Sequence, residues 1–207
     1  MRNVNARATN FSGSHFEFAN FRNAKLISAI LKNTDFSCIF HFWNSHFMTW
    51  TKYGLERIVR DKGADLTNAD LTCADLENAS FIRAILKETN FSKTILENAV
   101  FISADLTSAI LKKAKLKKAD FSYMRQFINC RFHFDPMKYE KLNYLSGANL
   151  TNADFADADC EDANFIKANL TGTKFKNANL KGARIERKWK DYLATQNVRG
   201  FNEIRWE

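Results

Sequence analysis

The chain has few of the residues that mark flexible linkers, since its 207 residues include seven glycines and a single proline. No run of about 18 apolar residues occurs, so the sequence predicts no membrane-spanning helix and no membrane partner. The first residues, MRNVNARATNFSG, lack the apolar core of a secretion signal. These absences favour a cytoplasmic protein, and they leave open a secreted effector that is exported without such a signal.

Sequence motifs typical of catalytic and nucleotide-binding sites are also missing. The sequence contains no GxSxG, no P-loop, no GxGxxG and no HExxH. The four cysteines show no CxxC spacing, which favours a reduced compartment over two disulfides. The four histidines lack the spacing of a zinc site, which needs three or four converging ligands. We therefore expect no enzyme activity, no cofactor and no metal.

The sequence does contain a five-residue repeat, clearest in ADLTNADLTCADLENASF over residues 64–81. Alanine and leucine return every five residues, a spacing that suits neither the 3.6-residue period of an α-helix nor the two-residue period of a strand. With the large apolar residue of each unit taken as its centre, 26 units fall in three blocks. The centres occupy every fifth residue over 11–36, 66–121 and 150–185.

Each unit combines one large apolar residue with one small residue. Of the 26 centres 24 are Leu or Phe, and the residue two places before the centre is Ala in 20 units, Thr in five and Ser in one. The other three places are mostly polar. This pattern predicts a closed coil, in which the large residues stack along an axis and the small residues fit tight corners.

The repeat resembles that of the pentapeptide-repeat family, whose unit is written A-(D/N)-(L/F)-x-x. Residues 64–123 match this unit without interruption, and residues 148–187 nearly so. The resemblance implies an all-β fold, a right-handed quadrilateral parallel β-helix in which four units make one coil. We accordingly expect a pentapeptide-repeat solenoid over residues 1–187.

Two stretches interrupt the repeat, residues 37–63 and residues 122–147. In the first, residues 51–62 have the apolar spacing of a short amphipathic helix, which Gly63 ends. In the second, the only proline, Pro136, predicts a projecting loop.

The first interruption is the candidate partner-binding element, because it contains aromatic residues of the kinds that dominate binding hot spots. These residues are Phe42, Trp43, Phe47, Trp50 and Tyr53. The alternative interpretation is that they fold back onto the solenoid.

The last residues, 188–207, predict a helix that covers the open end of the solenoid, because their apolar side chains recur at helical spacing. Trp189, Tyr192 and Leu193 are the candidate contacts of this cap. The resemblance adds a second interpretation, a homodimer through the C-terminal end, since some members of the family dimerise there.

The net charge of +8 raises the question of an acidic partner such as nucleic acid. Residues 64–123 are neutral, with eight acidic and eight basic residues, so the excess lies elsewhere. If residues 122–147 add no unit, the unit centred on Cys160 stacks on the unit centred on Leu116. Lys117 then lies beside Glu161, Lys115 beside Asp159 and Lys118 beside Asp162. Such a charge ladder makes nucleic-acid binding the weaker interpretation.

Function stays open between two classes. A rigid rod without catalytic residues favours a non-catalytic scaffold that mediates protein–protein interaction with an unidentified partner. The resemblance implies an alternative, because members of the best-studied branch imitate DNA, bind DNA gyrase and topoisomerase IV, and protect against quinolones or toxins. A DNA mimic is expected to be acidic, whereas this chain is basic.

Overall fold

The five-residue repeat forms a parallel β-helix with four sides. The structure, a computed structural model, describes residues 3–16, 19–36, 63–122, 124–125, 144–145 and 147–207. Within an uninterrupted block, parallel bridges join residues 20 positions apart, such as Asp65 with Ile85 and Ile85 with Asp105. Because each unit has five residues, four units make one coil, and the expected β-helix is confirmed.

The bridges assign every unit to one of four sides, which we number in chain order from Phe21. The centres of side one are Phe21, Leu66, Leu86, Leu106, Leu150 and Leu170. The centres of side two are Ala6, Leu26, Leu71, Phe91, Leu111, Phe155 and Phe175. The centres of side three are Phe11, Leu31, Leu76, Leu96, Leu116, Cys160 and Leu180. The centres of side four are Phe16, Phe36, Phe81, Phe101, Phe121, Phe165 and Ile185.

The core lies along the axis, where the centres are fully buried from Phe21 to Ile185. From Ala24 to Ala183, the small residues two places before the centres are buried at the corners. Where Thr replaces Ala there, its hydroxyl is satisfied: Thr89 donates to the carbonyl of Leu66 at 2.8 Å and Thr94 to that of Leu71 at 2.9 Å. A buried hydroxyl without such a partner costs about 1–3 kcal/mol, which explains why Thr is tolerated at this place.

Each side ends in the same tight turn. The residue before the centre is often Asp or Asn because its side chain accepts the backbone N–H two residues later, as Asp65 does from Thr67 at 3.0 Å. Two places after the centre the backbone is left-handed, with φ of 58° at Asn68 and 56° at Glu88. Asn adopts this conformation at low cost, which explains its frequency at this place.

The two interruptions leave the stacking of the coils intact. Asn20 bridges Asp65 and Asp105 bridges Asn149, so the units on either side of each interruption follow one another around the coil. Strand β1, Met124–Arg125, pairs with strand β2, Tyr144–Leu145, in an antiparallel manner at the base of the second interruption. The unit of Cys160 therefore stacks on that of Leu116, as predicted from the sequence.

The C-terminal residues combine short helices with a return to the solenoid. A 3-10 helix, Arg187–Trp189, leads into helix α1, Lys190–Ala194, and a second 3-10 helix spans Phe201–Glu203. Strand β4, Arg205–Trp206, then pairs in parallel with strand β3, Arg184–Ile185. The helix is shorter than residues 188–207, because the residues after it supply backbone partners to the last coil.

Candidate functional site

Both interruptions open from the same corner of the solenoid, immediately after side four. In a regular turn the N–H of Ala69 donates to the carbonyl of Leu66 at 2.9 Å. Ala64 makes the same bond to Phe36, and Ala148 makes it to Phe121, each at 2.9 Å across an interruption. Three coil steps separate Phe36 from Phe121, so the two openings lie roughly 14 Å apart along the axis.

A glycine brings the chain back into the coil after each interruption. A Cβ atom on Gly147 would lie 2.3 Å from the carbonyl oxygen of Lys167, and one on Gly63 would lie 2.7 Å from that of Phe36. Neither distance leaves room for a side chain. The sequence interpretation placed Gly63 at the end of a helix and did not single out Gly147. The shared Gly-Ala pair before each resumed repeat was the available signal.

The candidate binding residues themselves, Phe42, Trp43, Phe47, Trp50 and Tyr53, lie outside the described residues, as do the helix of residues 51–62 and Pro136. Their role stays a prediction. The structure does define the positions of Phe36 and Gly63, the attachment points at which the first interruption leaves side four and returns to it.

The inner surface of side four is a column of phenylalanine rings. Phe81 stacks on Phe101 at 5.0 Å between ring centroids, and Phe101 stacks on Phe121 at 4.7 Å, with interplanar angles of 7° and 4°. Phe36 and Phe165 extend this column at its two ends, at 5.0 Å and 4.9 Å. Sides one and three carry mainly leucine centres, and side two combines leucine with phenylalanine, so the longest stack of rings among the described residues lies on side four.

The outer surface of side four is also distinct. At the place after the centre its described residues are Ile82, Ile102, Ser122, Ile166 and Glu186. Ile102, Ser122 and Ile166 are only 4%, 5% and 8% exposed. Within the described residues of sides one to three, no residue at this place is buried.

The lysine cluster of residues 112–118 is paired with acidic residues of the next coil. The Nζ atom of Lys117 lies 3.2 Å from Glu161, and this hydrogen bond raises the pKa of Lys117. Lys112 lies 3.2 Å from Asp154. The expected charge ladder is therefore present at Lys117. Asp159 lies beside Lys115 as expected, and its carboxylate accepts a hydrogen bond from Asn179 at 2.8 Å. Asp162 accepts a hydrogen bond from Arg205 at 3.3 Å. Exposed pairs of this kind contribute little to stability, because solvent screens the two charges.

The described residues offer little catalytic chemistry. Across the described coils and the C-terminal region, His, Cys, Asp and Glu form no group that could hold a metal ion. Cys160 is a fully buried core residue, and burial raises the pKa of its thiol far above the usual range. Cys73 is exposed on side two, at a left-handed turn position with φ of 59°.

The predicted cap residues lie over the last coil. Leu193 is fully buried in the core, and Trp189 and Tyr192 pack partly buried against it. The hydroxyl of Tyr192 donates to the carbonyl of Thr173 at 2.6 Å, and burial raises its pKa. The side-chain oxygen of Gln196 accepts the N–H of Phe175 at 3.3 Å. The segment thus supplies a donor and an acceptor that a further coil would otherwise provide.

Among the helices of the described residues, none has the length and the apolar character needed to cross a membrane.

Solved structures with similar folds include pentapeptide-repeat proteins of different organisms. A pentapeptide repeat protein from the Arabidopsis thaliana thylakoid lumen is 26% identical, with a TM-score of 0.50 over 64% of this chain and 75% of that chain. Full-length QnrB1, a plasmid-mediated fluoroquinolone resistance protein, is 16% identical, with a TM-score of 0.43 over 98% of this chain and 93% of that chain. HetL, involved in heterocyst differentiation regulation in the cyanobacterium Nostoc sp. strain PCC 7120, is 25% identical, with a TM-score of 0.30 over 89% of this chain and 73% of that chain.

A family model described as pentapeptide repeats matches the sequence in eight copies, over residues 1–37, 62–98, 84–122 and 144–182. No curated protein sequence matches the chain. The matched residues make up more than half of the chain and coincide with the coils of the solenoid. The chain therefore belongs to the pentapeptide-repeat family.

Proposed function

We propose that this protein is a non-catalytic scaffold that binds a partner protein at the corner after side four, where both interruptions open. The supporting observation is that 25 or so residues leave the coil at each opening while the turn bond and the stacking continue unchanged. The coil completes its own hydrogen bonds without these insertions, so the inserted residues are available to bind a partner protein.

The residues proposed to bind the partner are Phe42, Trp43, Phe47, Trp50 and Tyr53 of the first interruption. Aromatic residues of these kinds lose little conformational freedom on binding and bury large areas, so a few of them can supply most of an interface's free energy. The stacked rings beneath side four hold the attachment point Phe36 in a fixed position. A rigid attachment lowers the entropic cost of binding.

Partner capture tests this proposal with three full-length proteins. The wild type, the double variant Trp43→Ala and Trp50→Ala, and a control double variant Ile30→Ala and Ile110→Ala are used to capture proteins from a cell lysate, which mass spectrometry identifies. Ile30 and Ile110 are exposed apolar residues on sides three and two, so they control for lost apolar surface. We expect a partner that the control retains and the tryptophan variant loses. Equal capture by all three proteins would contradict the proposal.

The alternative function is a DNA-mimicking binder of DNA gyrase or topoisomerase IV that confers quinolone or toxin protection. The charges support the scaffold instead, because Glu161 and Asp154, among the acidic residues of the rod, are paired with lysines. We expect the purified protein to leave the supercoiling activity of purified gyrase unchanged. Inhibition or protection of gyrase at stoichiometric protein would favour the alternative.

A homodimer through Trp189, Tyr192 and Leu193 stays a separate proposal. Leu193 is committed to the core of its own chain, so only the outer faces of the two aromatic rings are free to contact a second copy.

A further inference from the structure

Two junctions between coils, which we call seams, differ from the others because an interruption separates the stacked coils in the chain. At the first seam the coil of residues 64–83 stacks on that of residues 19–36, and at the second the coil of residues 148–167 stacks on that of residues 104–122. Among ion pairs whose two residues are both described, five cross the two seams, and two cross the four other junctions between coils. Ion pairs are therefore concentrated where the chain is interrupted.

The pairs at the two seams occupy equivalent places on side three. Lys32 and Lys117 each follow a centre, and each pairs with the glutamate at the same place in the next coil. The Nζ atom of Lys32 lies 2.9 Å from Glu77, and that of Lys117 lies 3.2 Å from Glu161. These hydrogen bonds raise the pKa of both lysines. The other pairs across the seams are Arg22 with Asp65, Lys32 with Asp75 and Lys112 with Asp154.

Whole coils also carry opposite charges on the two sides of each seam. Residues 19–36 include three basic residues and one acidic residue, whereas residues 64–83 include one basic and four acidic residues. Residues 104–122 include five basic and two acidic residues, whereas residues 148–167 include one basic and five acidic residues. The coil of residues 84–103, which lies at neither seam, has two of each. Each seam thus joins a basic coil to an acidic coil.

The signs of the charges also match side by side. At the first seam, basic residues on sides one to three face acidic residues on the same sides, and at the second seam this is true of sides two and three. Side four has the reverse order at both seams, with an acidic residue before the seam and a basic residue after it. These residues are Asp35 and Arg83 at the first seam, and Asp120 and Lys167 at the second. Rotating one coil on the next by any number of sides would therefore bring like charges together.

The backbone does not distinguish these rotations. Across the first seam the N–H of the centre donates to the next coil on all four sides, at distances of 2.6–2.8 Å. The chain does not fix the rotation either, because 26 residues separate Phe36 from Gly63, and an extended chain of that length reaches up to roughly 90 Å. The stacked rings of side four favour the native rotation only at contact, whereas charges act over about 10 Å at 0.1 M salt.

We propose that the charges at the two seams form an electrostatic key, which selects during folding the one rotation in which the three blocks of coils stack. The blocks are residues 1–36, 64–122 and 148–187. Opposite charges on approaching surfaces accelerate the correct encounter and disfavour wrong arrangements, even where each exposed pair contributes little to the final stability. This inference does not depend on the proposed function.

Refolding kinetics of the full-length protein test the key. The double variant Lys112→Glu and Lys117→Glu places acidic residues on both sides of the second seam. The control Lys87→Glu and Lys93→Glu makes the same change of charge on a coil at neither seam, and it also breaks an ion pair, that of Lys87 with Asp105. On dilution from urea into low salt, we expect the seam variant to refold about fivefold or more slowly than the control, and the difference to shrink at about 0.5 M salt. Equal refolding of the two variants at low salt would overturn the proposal.

A compensating variant separates the key from a general loss of stability. It combines Lys112→Glu and Lys117→Glu with Asp154→Lys and Glu161→Lys, so opposite charges face each other again with the signs exchanged. We expect its refolding rate at low salt to return to within about twofold of that of the wild type. A compensating variant that refolds as slowly as the seam variant, or that does not fold, would overturn the proposal.

A disulfide trap reads the rotation itself. Thr107 and Thr151 follow the centres of side one in the two coils of the second seam, and only the native rotation stacks them about 4.8 Å apart, within the range of a disulfide. Thr107→Cys and Thr151→Cys are introduced into the wild type and into the seam variant, oxidant is added early in refolding, and peptide mapping identifies the bond. We expect the early yield of the bond between positions 107 and 151 to be several-fold lower in the seam variant. Equal early yields would overturn the proposal.

Discussion

Side one and side four have the same backbone geometry and present different surfaces. On side one the residues around the centre form a polar ladder, in which the side-chain amide of Asn149 donates to the hydroxyl of Thr107 at 3.0 Å. Asn169 repeats this bond to Thr151 one coil later, also at 3.0 Å. On side four the residue that corresponds to Thr107 in the preceding unit is Ile102, which is buried.

The difference shows that the five-residue repeat and the identity of a side are separate properties of the sequence. The repeat places a large residue inside and a turn at each corner, and this is true of both sides. What a side contacts depends on residues that recur every 20 positions, such as Phe81, Phe101 and Phe121 inside side four. A solenoid can therefore present a polar surface and an apolar surface on one backbone.

Truncation of a buried centre is expected to give the largest difference between side four and side one in the free energy of unfolding that is lost. Phe101 and Leu106 are the centres of consecutive units on side four and side one, and both are fully buried. We expect Phe101→Ala to lower the free energy of unfolding by about 3–5 kcal/mol, because it also removes two ring stacks, and Leu106→Ala to lower it by about 2–3 kcal/mol. Urea unfolding followed by circular dichroism measures both. A loss for Leu106→Ala as large as that for Phe101→Ala would show that the phenylalanine column adds nothing beyond its volume.

Gly147, where the chain returns to side four, is expected to be the position at which substitution lowers stability by the next largest amount. In Gly147→Ala the new Cβ atom would overlap the backbone of Lys167, so the variant must shift the coil, at about 2–3 kcal/mol. The control is Gly13→Ala on side three, where a Cβ atom meets nothing within 4 Å and only the left-handed φ of 68° is unfavourable. We expect about 1 kcal/mol for this control. Equal losses in thermal or urea unfolding would mean that the coil accommodates the added methyl group of Gly147→Ala without a clash.

The smallest effect is expected in the pH dependence of side one. Burial raises the pKa of Asp105, but hydrogen bonds from Thr107 and the ion pair with Lys87 outweigh it, so the pKa lies below its usual value. A lowered pKa means that the carboxylate stabilises the fold above the unfolded pKa and that this contribution is lost as the pH falls. The wild type should therefore lose more stability between about pH 6 and pH 3 than Asp105→Asn, which keeps the acceptor for Thr107. Parallel pH profiles for the two proteins would contradict this expectation.

Much of the fold could be predicted from the sequence because the repeat is a local pattern. Leu66, Leu71 and their equivalents identify the core directly, and the spacing of Ala identifies the corners. The pairing of Lys117 with Glu161 was predictable because the number of units between them fixes which coils stack. The requirement for glycine at Gly63 and Gly147 was harder to predict from the sequence, since it comes from the nearby carbonyl groups of Phe36 and Lys167.

The sequence by itself determined the unit, its inward residues and the points where the repeat stops, because each of these depends on side-chain size and polarity within a few residues. The tertiary structure decided that neither interruption adds a side to the coil, since the hydrogen bonds between coils join the units before and after each one in unbroken order. It also decided where the chain re-enters the coil, at Gly63 and Gly147, beside the backbone of a neighbouring coil. The physical reason is that a close approach between coils depends on residues about 20 positions apart, and a five-residue pattern contains no information about that contact.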